Sequence, residues 1–375
     1  MIRGTRNELL HSTITSRASV FGSFPDGKVR SFNSARCHRA HSEEKSRGLM
    51  LFGKLPRTGV VSGAMFNHEP VMLNEILEVF SGLSTGTFLD ATLGGAGHAS
   101  ALLKAHPDIE FLGIDRDHEA VAFSKSKLSS LGERVTLRHA RFDRVAEVLV
   151  QTGTHSLAGA LFDLGVSSPQ LDQEQRGFSY RLDAPLDMRM DQSQSMSALE
   201  VINDSSIEHL EKILRENADE RFAGRIAKAI VRARPINTTV ELAEVVIAAI
   251  PAAARRRGGH PAKRTFQAIR IEVNQELVIL PNALTDVIKA LSPGARLAVL
   301  SYHSGEDSIA KSVMRLAETG GCTCPTNLPC VCGRQALVRR VRTVKTPSVA
   351  EQTLNRRSTA ARLRVVERLS TGWES

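Results

Sequence analysis

Phe88-Leu89-Asp90-Ala91-Thr92-Leu93-Gly94-Gly95-Ala96-Gly97-His98 reads as an apolar strand, a glycine-rich turn and the opening of a helix, in that order. Three glycines in four residues let the backbone pass close to a ligand, and the new helix N-terminus offers unpaired N–H groups. A tight turn needed only for packing would use the same residues, so the turn alone leaves both readings open. About twenty residues on, Phe111-Leu112-Gly113-Ile114-Asp115 ends a second strand in an acid, where a carboxylate accepts hydrogen bonds from both hydroxyls of a ribose. Together the two features fit adenosine. The glycines miss the strict G-x-G-x-x-G spacing of dinucleotide sites, and a cofactor without phosphates needs no phosphate cradle. This favours S-adenosylmethionine, and therefore methyl transfer, over hydride transfer.

Outward from this stretch, helix-like and strand-like segments alternate. An amphipathic helix is expected over Val71 to Phe80, strands at Thr87 to Ala91, Phe111 to Asp115, Val135 to His139 and Ala158 to Leu164, and helices from about Ala99 and Glu119. This is the pattern of a parallel sheet covered on both faces. It breaks after Ser168, where a polar loop leads into a mostly helical block: Ile207 to Leu214, Arg221 to Ala233, Val240 to Ala249 and Thr265 to Leu280. Strand texture returns at Arg296 to Ser301, with further candidates at Val338 to Val344 and Arg362 to Val366. The expected architecture is an α/β, Rossmann-like core in two parts, 65–168 and 292–375, interrupted by a loop and helical insert over 169–291.

Residues 1–64 carry 11 Lys/Arg against 4 Asp/Glu, so most of the net charge of +9 sits there. They read as a disordered basic leader, which fits an RNA-attracting tail, an organelle transit peptide, or an upstream start with Met65 as the true one. A cytoplasmic location is expected, or a mitochondrial one if the leader is a transit peptide. No apolar run approaches the roughly 18 residues of a membrane span.

At the carboxyl edge of the fourth strand, Leu161-Phe162-Asp163-Leu164-Gly165-Val166-Ser167-Ser168-Pro169-Gln170-Leu171 places an acid before a rigid loop. Ligands of open parallel sheets bind at that edge. An exocyclic base amine needs acceptors there, because its hydrogens must point at oxygens before its lone pair can face a methyl group. Asp163 with the loop carbonyls could supply them; capping a turn is its alternative role. Phe142, at the end of the third strand, could lie on adenine or belong to the core.

These stretches, with His68-Glu69-Pro70-Val71-Met72-Leu73, Arg176-Gly177-Phe178-Ser179, Pro185-Leu186-Asp187-Met188-Arg189-Met190, Thr265-Phe266-Gln267-Ala268-Ile269-Arg270-Ile271 and Ser301-Tyr302-His303-Ser304, resemble the bacterial 16S ribosomal RNA cytosine-N(4) methyltransferases. The resemblance runs from Asn67 to about Arg368. It implies a class I methyltransferase fold, S-adenosylmethionine as cofactor, and 16S ribosomal RNA, within the small ribosomal subunit, as partner. Carried over residue by residue, it sets the cofactor against Ala96, Gly97, His98, Asp115, Phe142, Asp163 and Gln170; the acceptor reading of the strand-four edge makes Asp163 the candidate catalytic residue. Two departures are Tyr302, where Phe is usual, and Gly305.

Four cysteines, Cys322, Cys324, Cys330 and Cys332, fall within eleven residues and suffice for one tetrahedral zinc. Their C-x-C pairs are tighter than the usual C-x-x-C, so reduced thiols or a redox pair stay open. Basic runs at 255–264, 334–345 and 356–368 offer phosphate contacts. The 185–190 loop is either a lid whose methionines pack on a flat base or a loop pinned by Asp187 and Arg189. His303 could touch the substrate or satisfy local hydrogen bonds.

Overall fold

The computed structural model describes residues 70–256, 259–325, 327 and 331–371. The expected leader, Met65, Arg257 and Cys330 lie outside them. The elements in chain order are α1 (Leu73–Val79), β1 (Gly86–Asp90), α2 (Gly97–Ala105), β2 (Ile109–Asp115), α3 (His118–Lys127), β3 (Val135–His139), α4 (Val145–Gln151), β4 (Leu157–Asp163) and α5 (Ser168–Asp172). They continue with α6 (Ala198–Asp204), α7 (Ile207–Ala218), α8 (Ala223–Ala233), α9 (Thr239–Ala249), α10 (Ala252–Arg255), α11 (Lys263–Asn274) and α12 (Glu276–Ala290). The chain closes with β5 (Leu291–Ser301), α13 (Ser304–Thr319), β6 (Val338–Arg340), α14 (Val349–Leu354) and β7 (Arg362–Arg368).

One sheet results, ordered β3-β2-β1-β4-β5-β7-β6. Strands β1 to β5 are parallel neighbours, and β7 runs antiparallel between β5 and β6. This is a Rossmann-like sheet, as expected. The chain order reverses beside β1, and such a switch point opens a crevice at the carboxyl ends of the strands. Alternation along each strand feeds two cores. Phe88, Phe111, Leu161 and Leu300 pack with Ile76, Leu102 and Leu103 on one face. Leu89, Leu112, Phe162 and Val299 pack with Val148, Leu284, Val287 and Met314 on the other. Apolar side chains on both faces are what strands covered on both sides require.

A third core belongs to the helices between β4 and β5, including Ile202, Leu210, Ile226, Leu242, Phe266 and Ile269. Two of these helices start in capping boxes, Ser197 with Glu200 and Thr238 with Glu241, which satisfy N–H groups the helix leaves unpaired.

The single helix expected over Thr265 to Leu280 is two. The helix breaks at Gln275, whose φ is 54°. Tertiary bonds hold the break: the buried Asn274 amide donates to the Met188 carbonyl at 2.7 Å and accepts from the Met190 N–H at 2.9 Å, and its backbone carbonyl accepts from Arg116 at 2.7 Å. After the break, α12 joins the sheet's core through Leu280, Leu284 and Val287. The strand expected from Val338 to Val344 stops at Arg340, and β5 begins five residues before Arg296, with a register shift against β4 between Leu157 and Gly159. The 185–190 loop is pinned rather than a free lid. Arg189 grips Asp187 with two bonds of 2.8 Å, and Met188 and Met190 are buried in the insert's core. Among the described residues, no helix is long and apolar enough to cross a membrane.

Candidate active site

The carboxyl ends of β1, β2 and β4 open into a cleft of about 1070 Å³, walled by Phe178, Tyr180, Lys263 and Phe266 from the insert and by Asn355, Arg356 and Arg357 near the end of the chain. Its floor is acidic. Asp115 accepts the Gly94 and Asp117 N–H groups, each at 2.8 Å, so the second strand's acid holds the glycine turn in shape. Burial nonetheless raises its pKa, against those two bonds. Gly97 is demanded by packing as well: a Cβ there would stand 2.5 Å from Cγ of Pro70. Packing thus accounts for Gly97, while Gly94, Gly95 and Gly97 also line the cleft.

Asp163 ends β4 with its backbone N–H donating to Thr92 Oγ1 at 2.6 Å. Its Oδ1 accepts the Tyr302 hydroxyl at 2.6 Å, and its Oδ2 lies 3.5 Å from His98 Nε2. His98 is buried, lines the cleft, and neither ring nitrogen has a hydrogen-bond partner among the described residues. Phe142 lines the cleft while meeting Phe162 edge-on at 5.8 Å.

Gln170 lines the cleft too, yet its amide is engaged internally: it donates to Asp117 at 2.9 Å and accepts the Ser167 N–H at 3.0 Å. Asp117 is also gripped at 2.8 Å by the buried Arg176, which donates to the Arg189 and Met190 carbonyls. Ala96 is the exception. Its side chain is buried in the core and does not line the cleft; at φ 52° it forms the turn into α2. So Gly97, His98, Asp115, Phe142, Asp163 and Gln170 are brought together, and Ala96 supports them from beneath.

His303 caps α13, its ring 3.2 Å from Glu306, whose other oxygen takes the Tyr302 N–H at 2.7 Å. Glu276, beside them, is clamped by Arg270 through bonds of 2.9 and 2.8 Å. Ligand atoms of Glu276, His303 and Glu306 lie within 4.8 Å of one another, but with Arg270 in place the group is charge-compensated and reads as an ion-pair cluster. Many cations of the expected RNA-binding runs serve the fold: Arg339 pairs with Glu367, Arg340 with Glu318 and Arg364 with Asp307. Lys263, Arg356 and Arg357 of those runs line the cleft, Arg357 while paired with Asp172, as do Lys127 and Arg181 from outside the runs.

Sequence reasoning passed over Asp90. This buried acid at the end of β1 accepts the Thr92 N–H at 3.1 Å, and burial, with the charges of Asp163 and Asp115 adding, pushes its pKa up to about 7. Its signal was present, an acid closing an otherwise apolar strand. The folded state therefore holds a proton that the unfolded chain has released between about pH 4 and 7. Stability from the protonated form is complete below pH 4 and lost as pH rises through 7, on the order of 4 kcal/mol. In Asp90→Asn this loss should vanish, checked by denaturant titrations of the cofactor-free protein at pH 4.5 and 8. A difference from wild type that stays constant with pH would place the proton elsewhere.

A Rossmann-like sheet whose switch-point cleft joins a glycine turn, a strand-two acid and a strand-four acid defines a methyltransferase. Residues 65–369 match the model of the MraW methylase family, and the chain belongs to that family. A relative from Symbiobacterium thermophilum is 46% identical over 317 residues, covering 83% of this chain and 99% of its own, and is named ribosomal RNA small subunit methyltransferase H. Relatives of the same name from Heliobacterium modesticaldum (45% over 314 residues, 81% of this chain and 99% of its own) and Salinispora tropica (47% over 315 residues, 80% and 84%) are similar.

Proposed function

We propose that this chain methylates the exocyclic N4 amine of one cytosine in small-subunit (16S) ribosomal RNA, in the cytoplasm, using S-adenosylmethionine. The observation that carries the reading is the pair of acids in one cleft, Asp115 on the glycine turn and Asp163 at the strand-four edge. The residues present fit the cofactor: an acidic floor suits its two cationic groups, and the buried His98, whose ring makes no hydrogen bond among the described residues, lines the same cleft. When bound, S-adenosylmethionine supplies a methyl group on a sulfonium leaving group.

The chain's own part is positioning. Asp115 accepts from the ribose hydroxyls, Phe142 offers a ring to the adenine, and Gln170 keeps the Ser167 turn and Asp117 in place. Asp163 Oδ2, with carbonyls of the Gly165 to Ser168 loop, would accept hydrogen bonds from the amine's N–H groups and so turn its lone pair toward the methyl group. The amine would lose its proton, to Asp163 or to solvent, only after the new N–C bond forms and the sulfonium S–C bond breaks. Lys127, Arg181, Lys263 and Arg356 at the cleft are placed to meet phosphates around one splayed base, which makes binding salt-sensitive. Tritium-labelled methyl transfer to unmodified small-subunit RNA, naked and assembled, tests the activity. Asp115→Ala should weaken cofactor binding by about 10- to 100-fold, the range for a hydrogen bond to a charged group, measured by calorimetry. Unchanged affinity in a folded variant would remove Asp115 from the site.

We also propose a structural zinc at the cysteine cluster. The sulfurs of Cys322, Cys324 and Cys332 lie within 4.8 Å of one another, with Cys322 and Cys332 3.5 Å apart. Tetrahedral zinc with Zn–S bonds of roughly 2.3 Å has an S···S edge of roughly 3.8 Å, whereas a disulfide needs roughly 2.05 Å. Cys330 would be the fourth ligand. Elemental analysis of purified protein should give about one zinc per chain, lost in Cys322→Ser; metal-free protein of unchanged stability would refute the site.

A further inference from the structure

We infer that Tyr302 is a positioning residue for methyl transfer, acting through Asp163, an inference that rests on the acceptor role assigned to that carboxylate above. Tyr302 is held from three sides. Its backbone N–H donates to Glu306 at 2.7 Å, its ring lies against Gly165, where a Cβ would come within 3.3 Å of Cδ2, and its hydroxyl donates to Asp163 Oδ1 at 2.6 Å. Burial, then the neighbouring Asp163 charge, raises the phenol's pKa well above its usual value. The hydroxyl therefore stays protonated at every working pH and remains a donor.

With Oδ1 occupied, one acceptor oxygen of Asp163 is left for the substrate, Oδ2 on the His98 side. A carboxylate hinged at Cβ and Cγ rotates freely unless an oxygen is pinned, and orientation errors of this kind are costly in reactions that proceed by positioning alone. The same residue links two parts of the site. Gly165, at φ 99°, begins the loop whose carbonyls are the other acceptors, and its lack of a side chain lets the Tyr302 ring close on it. One side chain thus sets the position of both acceptor sources. The Tyr departure noted in the sequence is what provides this hydroxyl.

The test is a double-mutant cycle of Tyr302→Phe with Asp163→Ala, read as single-turnover methyl transfer at saturating cofactor, with cofactor affinity measured separately. Tyr302→Phe keeps the ring on Gly165 and removes one hydrogen bond to a charged group. The rate should fall about tenfold, with cofactor affinity within about twofold of wild type, since the loss is confined to the transition state. In the Asp163→Ala background the hydroxyl has nothing to orient, and the effect should shrink below about twofold. An unchanged rate in Tyr302→Phe overturns the inference, as does an equal fall in both backgrounds, which would make the effect independent of Asp163. If Asp163→Ala itself leaves the rate intact, the acceptor reading of Asp163 fails, a result visible without reference to Tyr302.

Discussion

Asp163→Asn is expected to slow methyl transfer on the order of 10²-fold, the scale seen when one preorganised polar group is taken from a reacting centre. Asparagine keeps the shape and can still accept the Tyr302 hydroxyl through its carbonyl oxygen. The position now occupied by Oδ2 would then carry an NH2 group, a donor facing an amine whose hydrogens also seek acceptors. Such a mismatch is felt when the lone pair must face the methyl group, so it appears in turnover more than in affinity. Calorimetry should therefore find cofactor binding weakened only a few-fold. A loss of affinity in proportion to the loss of rate would make Asp163 a cofactor ligand alone and pass the acceptor role to the loop carbonyls.

The second large effect is on folding. Arg176 is buried with Asp117 at 2.8 Å, reaches Glu119 at 3.3 Å, and donates to two backbone carbonyls of the 185–190 loop region. Arg176→Ala would leave Asp117 buried beside Gln170 without its counter-charge and would free the Arg189 and Met190 carbonyls. Breaking a buried pair from one side costs about 3–5 kcal/mol. The denaturant midpoint should fall accordingly, and any residual activity should need more cofactor, because Asp117 holds Gln170, which lines the cleft. An unfolding free energy within about 0.5 kcal/mol of wild type, the scale of a neutral surface change, would show that solvent replaces the guanidinium.

Much of this site was legible because its parts obey local rules. Asp115 and Asp163 close apolar strands, and the position of a strand's last residue follows from the strand itself. The seven strands were found from apolar runs, and β1 to β4 differ from expectation only at their ends. What was not legible depends on partners distant in the chain. The break at Gln275 follows no glycine or proline signal; it is set by Asn274 reaching Met188 and Met190, more than 80 residues away. The methionines of the 185–190 loop suit a lid by residue type, but their burial depends on how helices of the insert assemble around them. Asp90 looked like part of a strand and a turn, since burial, and the proton that burial retains, cannot be read from neighbours in sequence. The basic runs hide the same dependence: Arg340, Arg364 and Arg339 pair with Glu318, Asp307 and Glu367, partners that a run of charges does not reveal.

The interruption between β4 and β5 bears on how the protein acquires its shape. The two strands are hydrogen-bonded neighbours at the centre of the sheet, yet β4 ends at Asp163 and β5 begins at Leu291. Joining them through a featureless chain of that length would cost roughly 4 kcal/mol in closure entropy and entail a slow search. The intervening helices have their own apolar core, so their collapse can shorten the search before the strands meet. The enzyme's central seam is thus expected to be a late event in folding. A nascent chain leaving the ribosome would present the first four strands, with β4 an unpaired edge, until the insert and β5 have emerged.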